Sequence, residues 1–282
     1  MKKIVFVILF IMTAMLNIQS KNPSGKAIYL QLYSLRDDIK ADFGSTLDKV
    51  AEMGYTGIEA AGYKDGKFYG LAPEVFKAEI EKRGMKVLSS HVGKSLHDDV
   101  GKTNWVDIWT WWDSTIAAHK TAGMKYIVIP SMPLVKTLSD LKVYCDYYNH
   151  IGEKCKAEGI RFGYHNHSFE FTKIENEIMY DYMLKNTDAN NVFFQMNVYW
   201  VVRGGCSPVD YFKKYPGRFE ILHLKDNKEL GESGMVGFDA IFGNSKVAGT
   251  NYFIVEVEKY NFTPTESVRK SLLYLQNNSF FN

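Results

Sequence analysis

Four of the seven histidines, His91, His165, His167 and His223, lie at or just beyond the end of a short apolar run. The other three, His97, His119 and His150, lie elsewhere. Run ends elsewhere in the chain carry Gln31 with Tyr33, Glu59, Ser131, Asn197, and Glu256 with Glu258, and Lys225 follows His223. Imidazole and carboxylate gathered in one place suit Zn, Mn, Fe or Co better than Ca. His165, Asn197, His223 and Glu256 end four successive runs, so they form the candidate metal set. Asn197 offers it only a neutral amide oxygen. The rival reading makes each imidazole a hydrogen-bonded wall residue without an ion. The grouping favours the metal.

The same residues are candidates for proton transfer. Glu256 is the candidate base, and a neutral His165 or His91 titrates near enough to pH 7 to serve as a second one. Lys225 stands two residues beyond His223, on the same face of an extended strand. It either stabilises a developing oxyanion or pairs with a nearby carboxylate. Glu256 and Glu258 also share a face, one to bind and the other to orient. Candidate substrate contacts are Glu59, Tyr33, His167 and Trp200. Trp200 either stacks on a sugar ring or packs its own loop. Glu170 either supports the site or caps a loop.

Such a set works only if the strands bring their ends to one mouth. Apolar runs and amphipathic stretches alternate along the chain. Strands are predicted at 28–33, 57–60, 86–91, 126–130, 161–165, 192–197, 219–224 and 252–256. Helices are predicted at 43–53, 72–83, 105–122, 138–158, 178–186, 208–215, 238–248 and 264–276. Gly54, Gly84, Gly123, Gly159 and Gly249 stop helices before strands. Eight strand–helix units of about 32 residues each predict an α/β fold, a single (β/α)8 TIM barrel with its site at the carboxyl ends of the strands. The competing open doubly wound sheet lacks its phosphate loop after the first strand. Trp105, Trp109, Trp111 and Trp112 share one helical stretch and read as packing or as a contact between copies in a homo-oligomer.

The hydrophobic fraction is 46% and the charged fraction 23%, values of a globular protein. The formal charge is +2, from 34 basic and 32 acidic residues, and two of those basic residues are Lys2 and Lys3. Without them the balance is zero, which opposes a nucleic-acid partner. Lys2 and Lys3 precede an apolar run, Ile4–Leu16, then polar Asn17, Gln19 and Ser20. That order reads as a signal peptide over residues 1–22, leaving 23–282 as the barrel domain. The expected location is exported and periplasmic, with no stable membrane insertion after cleavage. Cys145, Cys155 and Cys206 are odd in number and read as free thiols.

The segments YLQLYSLRDD, GYTGIE, YHNHSFEF, NVYWVVRGG, YPGRFEILHLKD and YFIVEVE together resemble the sugar phosphate isomerase/epimerase family, in an exported subgroup with the HNH motif. The likeness runs from about Tyr29 to Leu275. It implies a xylose-isomerase-like barrel and one divalent metal ion held by strands five to eight. In that pattern His223 and Glu256 are the ligands of strands seven and eight. His165 stands where the family carries Glu, and Asn197 stands where its DVYW motif carries Asp. The loss of that acid weakens the implied metal site. The resemblance implies a small-molecule carbohydrate substrate and proton abstraction beside its carbonyl, as an isomerase or epimerase. Alternatives are a 3-keto-glycoside lyase or hydratase and a non-catalytic sugar-binding protein.

Overall fold

A computed structural model describes residues 26–281. The segment read as a signal peptide lies outside these residues. Eight parallel strands form a closed barrel: β1 Ile28–Gln31, β2 Gly57–Ala60, β3 Lys86–His91, β4 Tyr126–Ile129, β5 Arg161–His165, β6 Val192–Asn197, β7 Ile221–Leu224 and β8 Tyr252–Val255. Each strand pairs with its neighbour in sequence, and β8 closes on β1 through Ile28–Phe253, Tyr29–Ile254 and Leu30–Val255. The expected (β/α)8 barrel is therefore the fold.

Among the described residues ten α-helices surround it: α1 Arg36–Ala41, α2 Phe43–Met53, α3 Pro73–Glu81, α4 Trp105–Thr121, α5 Leu138–Ala157, α6 Met179–Asn186, α7 Val198–Arg203, α8 Pro208–Lys214, α9 Phe238–Ala248 and α10 Pro264–Gln276. The strands are buried on both faces, which explains their nearly continuous apolar runs. Each helix turns one stripe inward. On α5 that stripe is Tyr144, Tyr148, Ile151 and Cys155, and burying each such side chain stabilises the fold by about 1.5–3 kcal/mol. The Trp-rich α4 packs in the same way: Trp112 is fully buried and donates to the Tyr147 hydroxyl at 2.6 Å. The five glycines expected to end helices all have positive φ, between 72° and 99°.

Sequence periodicity missed α1 and α7. β1 also stops at Gln31, where its side chain accepts from the Tyr33 backbone N–H and starts a 3-10 turn. Two short hairpins, 63–68 and 173–178, leave the mouth after β2 and β5.

The barrel interior is divided by chemistry. Its lower half is an apolar cluster of Tyr29, Leu88, Tyr126, Val128, Phe193, Ile221 and Ile254. Gly163 makes room there, because a Cβ at this position would lie 2.5 Å from the Phe193 ring. Alternation along the strands then places Gln31, Glu59, Gln195 and His223 in the layer above. On β3 the register slips by one residue opposite Ile58 and Glu59. That bulge leaves Leu88 in the apolar cluster and still turns Ser89 to Glu59.

Candidate active site at the barrel mouth

Glu59 is the hub of the polar layer. Its Oε1 accepts from Gln31 Nε2 at 2.7 Å and from His223 Nε2 at 2.6 Å. Its Oε2 accepts from Ser89 Oγ and from Gln195 Nε2, each at 2.7 Å. His91 Nε2 lies 3.1 Å from Oε1. The group is fully buried and its lone pairs are taken. Glu59 therefore anchors the site from beneath, which corrects its expected place among the substrate contacts.

Because the Gln195 amide donates to Glu59, its oxygen faces the imidazoles. It accepts from His91 Nε2 at 2.7 Å and from His165 Nδ1 at 2.9 Å. Those hydrogen bonds set both tautomers and leave lone pairs on His91 Nδ1 and His165 Nε2. The three rings pack closely, with centroids 4.9 Å apart for His91 and His165 and 4.6 Å for His165 and His223. Gln195 and Ser89 escaped the sequence reading. The available signal was alternation, which puts Gln195 on the same face as Asn197.

Charge follows this network. Burial works against an ionised Glu59, but His91 and His223 outweigh it and hold the carboxyl well below its usual range. Burial likewise opposes an imidazolium at His223, yet Glu59 and Glu256 push its pKa up to about 9. Burial and the neighbouring His223 keep His165 well below its ordinary value, so it is neutral at pH 7. Glu256 is also buried, but His223 and Lys225 lower its pKa and keep it ionised.

Glu256 meets two side chains. Asn197 Nδ2 donates to its Oε2 at 2.8 Å, and His223 Nδ1 stands 3.5 Å from the same oxygen without closing a hydrogen bond. The Asn197 oxygen accepts from the Trp200 backbone N–H and caps α7. Asn197 therefore positions Glu256 and starts a helix, and its oxygen is committed away from the expected metal role. In its place the structure brings His91 into the cluster: His91, His165 and His223 each offer a ligand atom within 4.8 Å of the others.

The three imidazoles could hold a metal ion, which would displace the proton that His223 otherwise carries. Each imidazole has one nitrogen tied to Glu59 or Gln195, the arrangement that orients metal-binding histidines. The other nitrogen of His223 is buried without a hydrogen-bond partner beside the Glu256 carboxylate. Replacing Asn197 by Asp sets two carboxylates against each other. Without added metal, Asn197→Asp should lower Tm by roughly 3–10 °C, as expected for losing about 1–3 kcal/mol. Mn²⁺ or Zn²⁺ should restore it. The same fall with metal and with chelator would mean that no ion reaches this pair.

The remaining candidates lie around the cluster. Tyr33, His91, His165, His167, Glu256 and Glu258 line a cavity of about 360 Å³ at the mouth. Lys225 is buried and pairs with Glu258 at 2.9 Å, with its ammonium 5.8 Å and 5.7 Å from the Tyr199 and Trp200 rings. Trp200 sits on α7 with its ring 5.7 Å from that of His167.

Glu170 supports the loop after β5. It accepts from the Tyr164 hydroxyl at 2.7 Å and from the His167 backbone N–H at 2.9 Å. Burial pushes its pKa up to about 7. A carboxyl raised from 4.5 in this way contributes stability that is complete below pH 4.5 and lost as pH rises through 7, about 3 kcal/mol in all. Glu170→Gln should flatten the fall in urea-unfolding free energy between pH 5 and pH 8. An unchanged slope would remove Glu170 from this role.

A family model described as the xylose isomerase-like TIM barrel matches residues 47–278. A solved sugar phosphate isomerase/epimerase from Parabacteroides distasonis is 36% identical and covers 92% of this chain and 100% of its own, with a TM-score of 0.84. An inosose dehydratase from Geobacillus kaustophilus is 23% identical over 196 residues, which are 64% of this chain and 60% of that protein. The match thus spans less than two thirds of that relative's length. The IolI protein, solved with a bound zinc atom, shares the fold with a TM-score of 0.70 at 15% identity, covering 91% of this chain and 98% of its own. The match over most of the chain, together with the closed eight-stranded barrel, shows that the chain belongs to the xylose isomerase-like TIM barrel family.

Proposed function

We propose that the chain is a carbohydrate isomerase or epimerase that removes the proton beside a sugar carbonyl. One observation carries this reading: an ionised carboxylate, Glu256, and a neutral imidazole, His165, line the same small cavity at the barrel mouth. Glu256 takes the proton. Its Asn197 hydrogen bond fixes the carboxylate so that one oxygen stays aimed. Isomerisation follows when the hydroxyl proton passes to the former carbonyl oxygen and Glu256 returns its proton to the former carbonyl carbon. Epimerisation needs a second carrier on the opposite face, and His165 Nε2 serves only in the metal-free protein, because it is the same nitrogen that an ion would take. Lys225 supplies fixed positive charge beside Glu256.

His165, His223 and Glu256, with His91, would hold a Mn, Zn, Fe or Co ion. When bound, such an ion polarises the sugar carbonyl and makes the adjacent proton more acidic. The proposal includes export through the N-terminal segment, and hence an unphosphorylated sugar as substrate.

A second reading, elimination by a lyase or hydratase, is favoured by one finding: four curated proteins to which the chain is similar are inosose dehydratases. Elimination shares the first step and differs only in what leaves afterwards.

Incubation in D2O with a panel of ketohexoses and 3-ketoglucosides, followed by NMR, tests both. Deuterium beside the carbonyl supports proton abstraction. Inversion or carbonyl migration identifies the isomerase or epimerase, and release of a neighbouring group identifies the lyase. Binding without exchange, even with metal added, would leave a sugar-binding protein.

A further inference from the structure

A second cavity, of about 350 Å³, adjoins the mouth and shares two of its walls, Tyr33 and Ala61. Its remaining lining is mostly apolar: Leu32, Ile39, Phe43 and Tyr69, with Arg36 and Lys40 as cations. Of these residues only Tyr33 is a candidate substrate contact in the sequence.

The shared wall is held in position. The Arg36 guanidinium lies 4.8 Å from the centre of the Tyr33 ring and 5.7 Å from that of Tyr260. Its Nη1 donates to the Tyr33 carbonyl at 3.2 Å and to the Tyr260 hydroxyl at 2.8 Å. Tyr260 in turn donates to the Ser34 carbonyl at 2.9 Å. Tyr33 nevertheless keeps 45% of its surface exposed. A large aromatic side chain clamped in this way and still open to solvent presents a platform.

The opposite wall is built at a local conformational cost. Tyr69 has a φ of 52°, in the left-handed region that non-glycine residues seldom occupy. Its hydroxyl accepts from the Ala61 backbone N–H at 2.9 Å. Gly62 leaves space for the ring, since a Cβ there would lie 2.4 Å from it. The ring then packs on Phe43 at 5.3 Å and Phe76 at 5.9 Å. A strained residue, a tailored glycine and a backbone hydrogen bond all serve to put one aromatic face at this cavity.

We propose that this second cavity is a subsite for a ring joined to the reacting sugar, so that the substrate is a glycoside larger than one monosaccharide. This rests on the carbohydrate reading of the mouth. Aromatic faces take up the apolar side of a sugar or aryl ring, and a pocket of this size and lining suits one small group. Tyr33 and Ala61 line both cavities, so a ring joined to a sugar at the mouth would reach the second cavity by passing over them.

Calorimetric titration with paired methyl and phenyl β-D-glycosides oxidised to the ketone at carbon 3, in gluco, galacto and manno configurations, tests the proposal. In at least one pair the phenyl glycoside should bind tenfold or more tightly than the methyl one. Ile39→Trp, which fills the second cavity, should reduce that ratio below threefold. Tyr33→Ala should do the same and leaves the buried core intact, so it decides the matter if Ile39→Trp does not fold. Equal affinities within every pair that binds, or a ratio that survives both substitutions, would overturn the subsite. Failure of every glycoside to bind would overturn the carbohydrate reading of the mouth itself.

Discussion

Glu256→Gln should reduce deuterium exchange beside a keto-sugar carbonyl by about 10³-fold or more while leaving the fold intact, as expected for loss of a general base. The substitution is close to isosteric. The new amide oxygen still accepts from Asn197, so the hydrogen bond now 2.8 Å long survives. What disappears is the lone pair that receives a proton. The His223 imidazolium also loses one of the two carboxylates that stabilise it, so its pKa should fall from about 9. An NMR titration of the His223 ring reports that change separately from turnover. Glu258→Gln is the comparison: it frees Lys225 from its 2.9 Å partner and should reduce exchange far less. Exchange by Glu256→Gln within threefold of the parent, with the His223 shift present, would mean that another group takes the proton.

The layout of this site was legible in the sequence as far as strand ends go. His165, His223 and Glu256 follow apolar runs whose limits periodicity gave to within two residues, and parallel strands in a barrel must bring such ends together. Partnership inside the barrel was less legible. Glu59 looked like one more polar residue at a mouth. Only the closed barrel shows that it reaches His223, Gln195 and Gln31 from three other strands. Ser89 depends on a one-residue bulge in β3, which no alternating pattern announces. Asn197 illustrates a different limit. Its substitution for the family's Asp was visible, and it suggested a weakened ligand. The helix it caps, α7, leaves no signal in the sequence, because six residues carry too little periodicity to register. With that helix in place, the Asn197 oxygen has a backbone partner and its nitrogen an acid.

Removing the hub should have the largest effect on stability. Glu59→Ala leaves the donors of Gln31, Ser89, Gln195, His91 and His223 without their shared acceptor in a layer closed to solvent. Breaking a buried ionic pair typically costs about 3–5 kcal/mol, and in a domain of this size that lowers Tm by roughly 10 °C. The charge argument points the same way. His223 carries its proton because Glu59 and Glu256 offset its burial. Without Glu59, burial wins more of that balance, and the ring should titrate well below 9. Glu59→Gln separates the two contributions. It keeps one acceptor oxygen but brings an NH2 group against the existing donors, so it should fall between the parent and Glu59→Ala in Tm. Thermal unfolding of the three proteins at pH 7, with NMR titration of His223, measures both. A Tm within 2 °C of the parent for Glu59→Ala would show that water replaces the carboxylate at no cost. The polar layer would then owe its order to the strands alone.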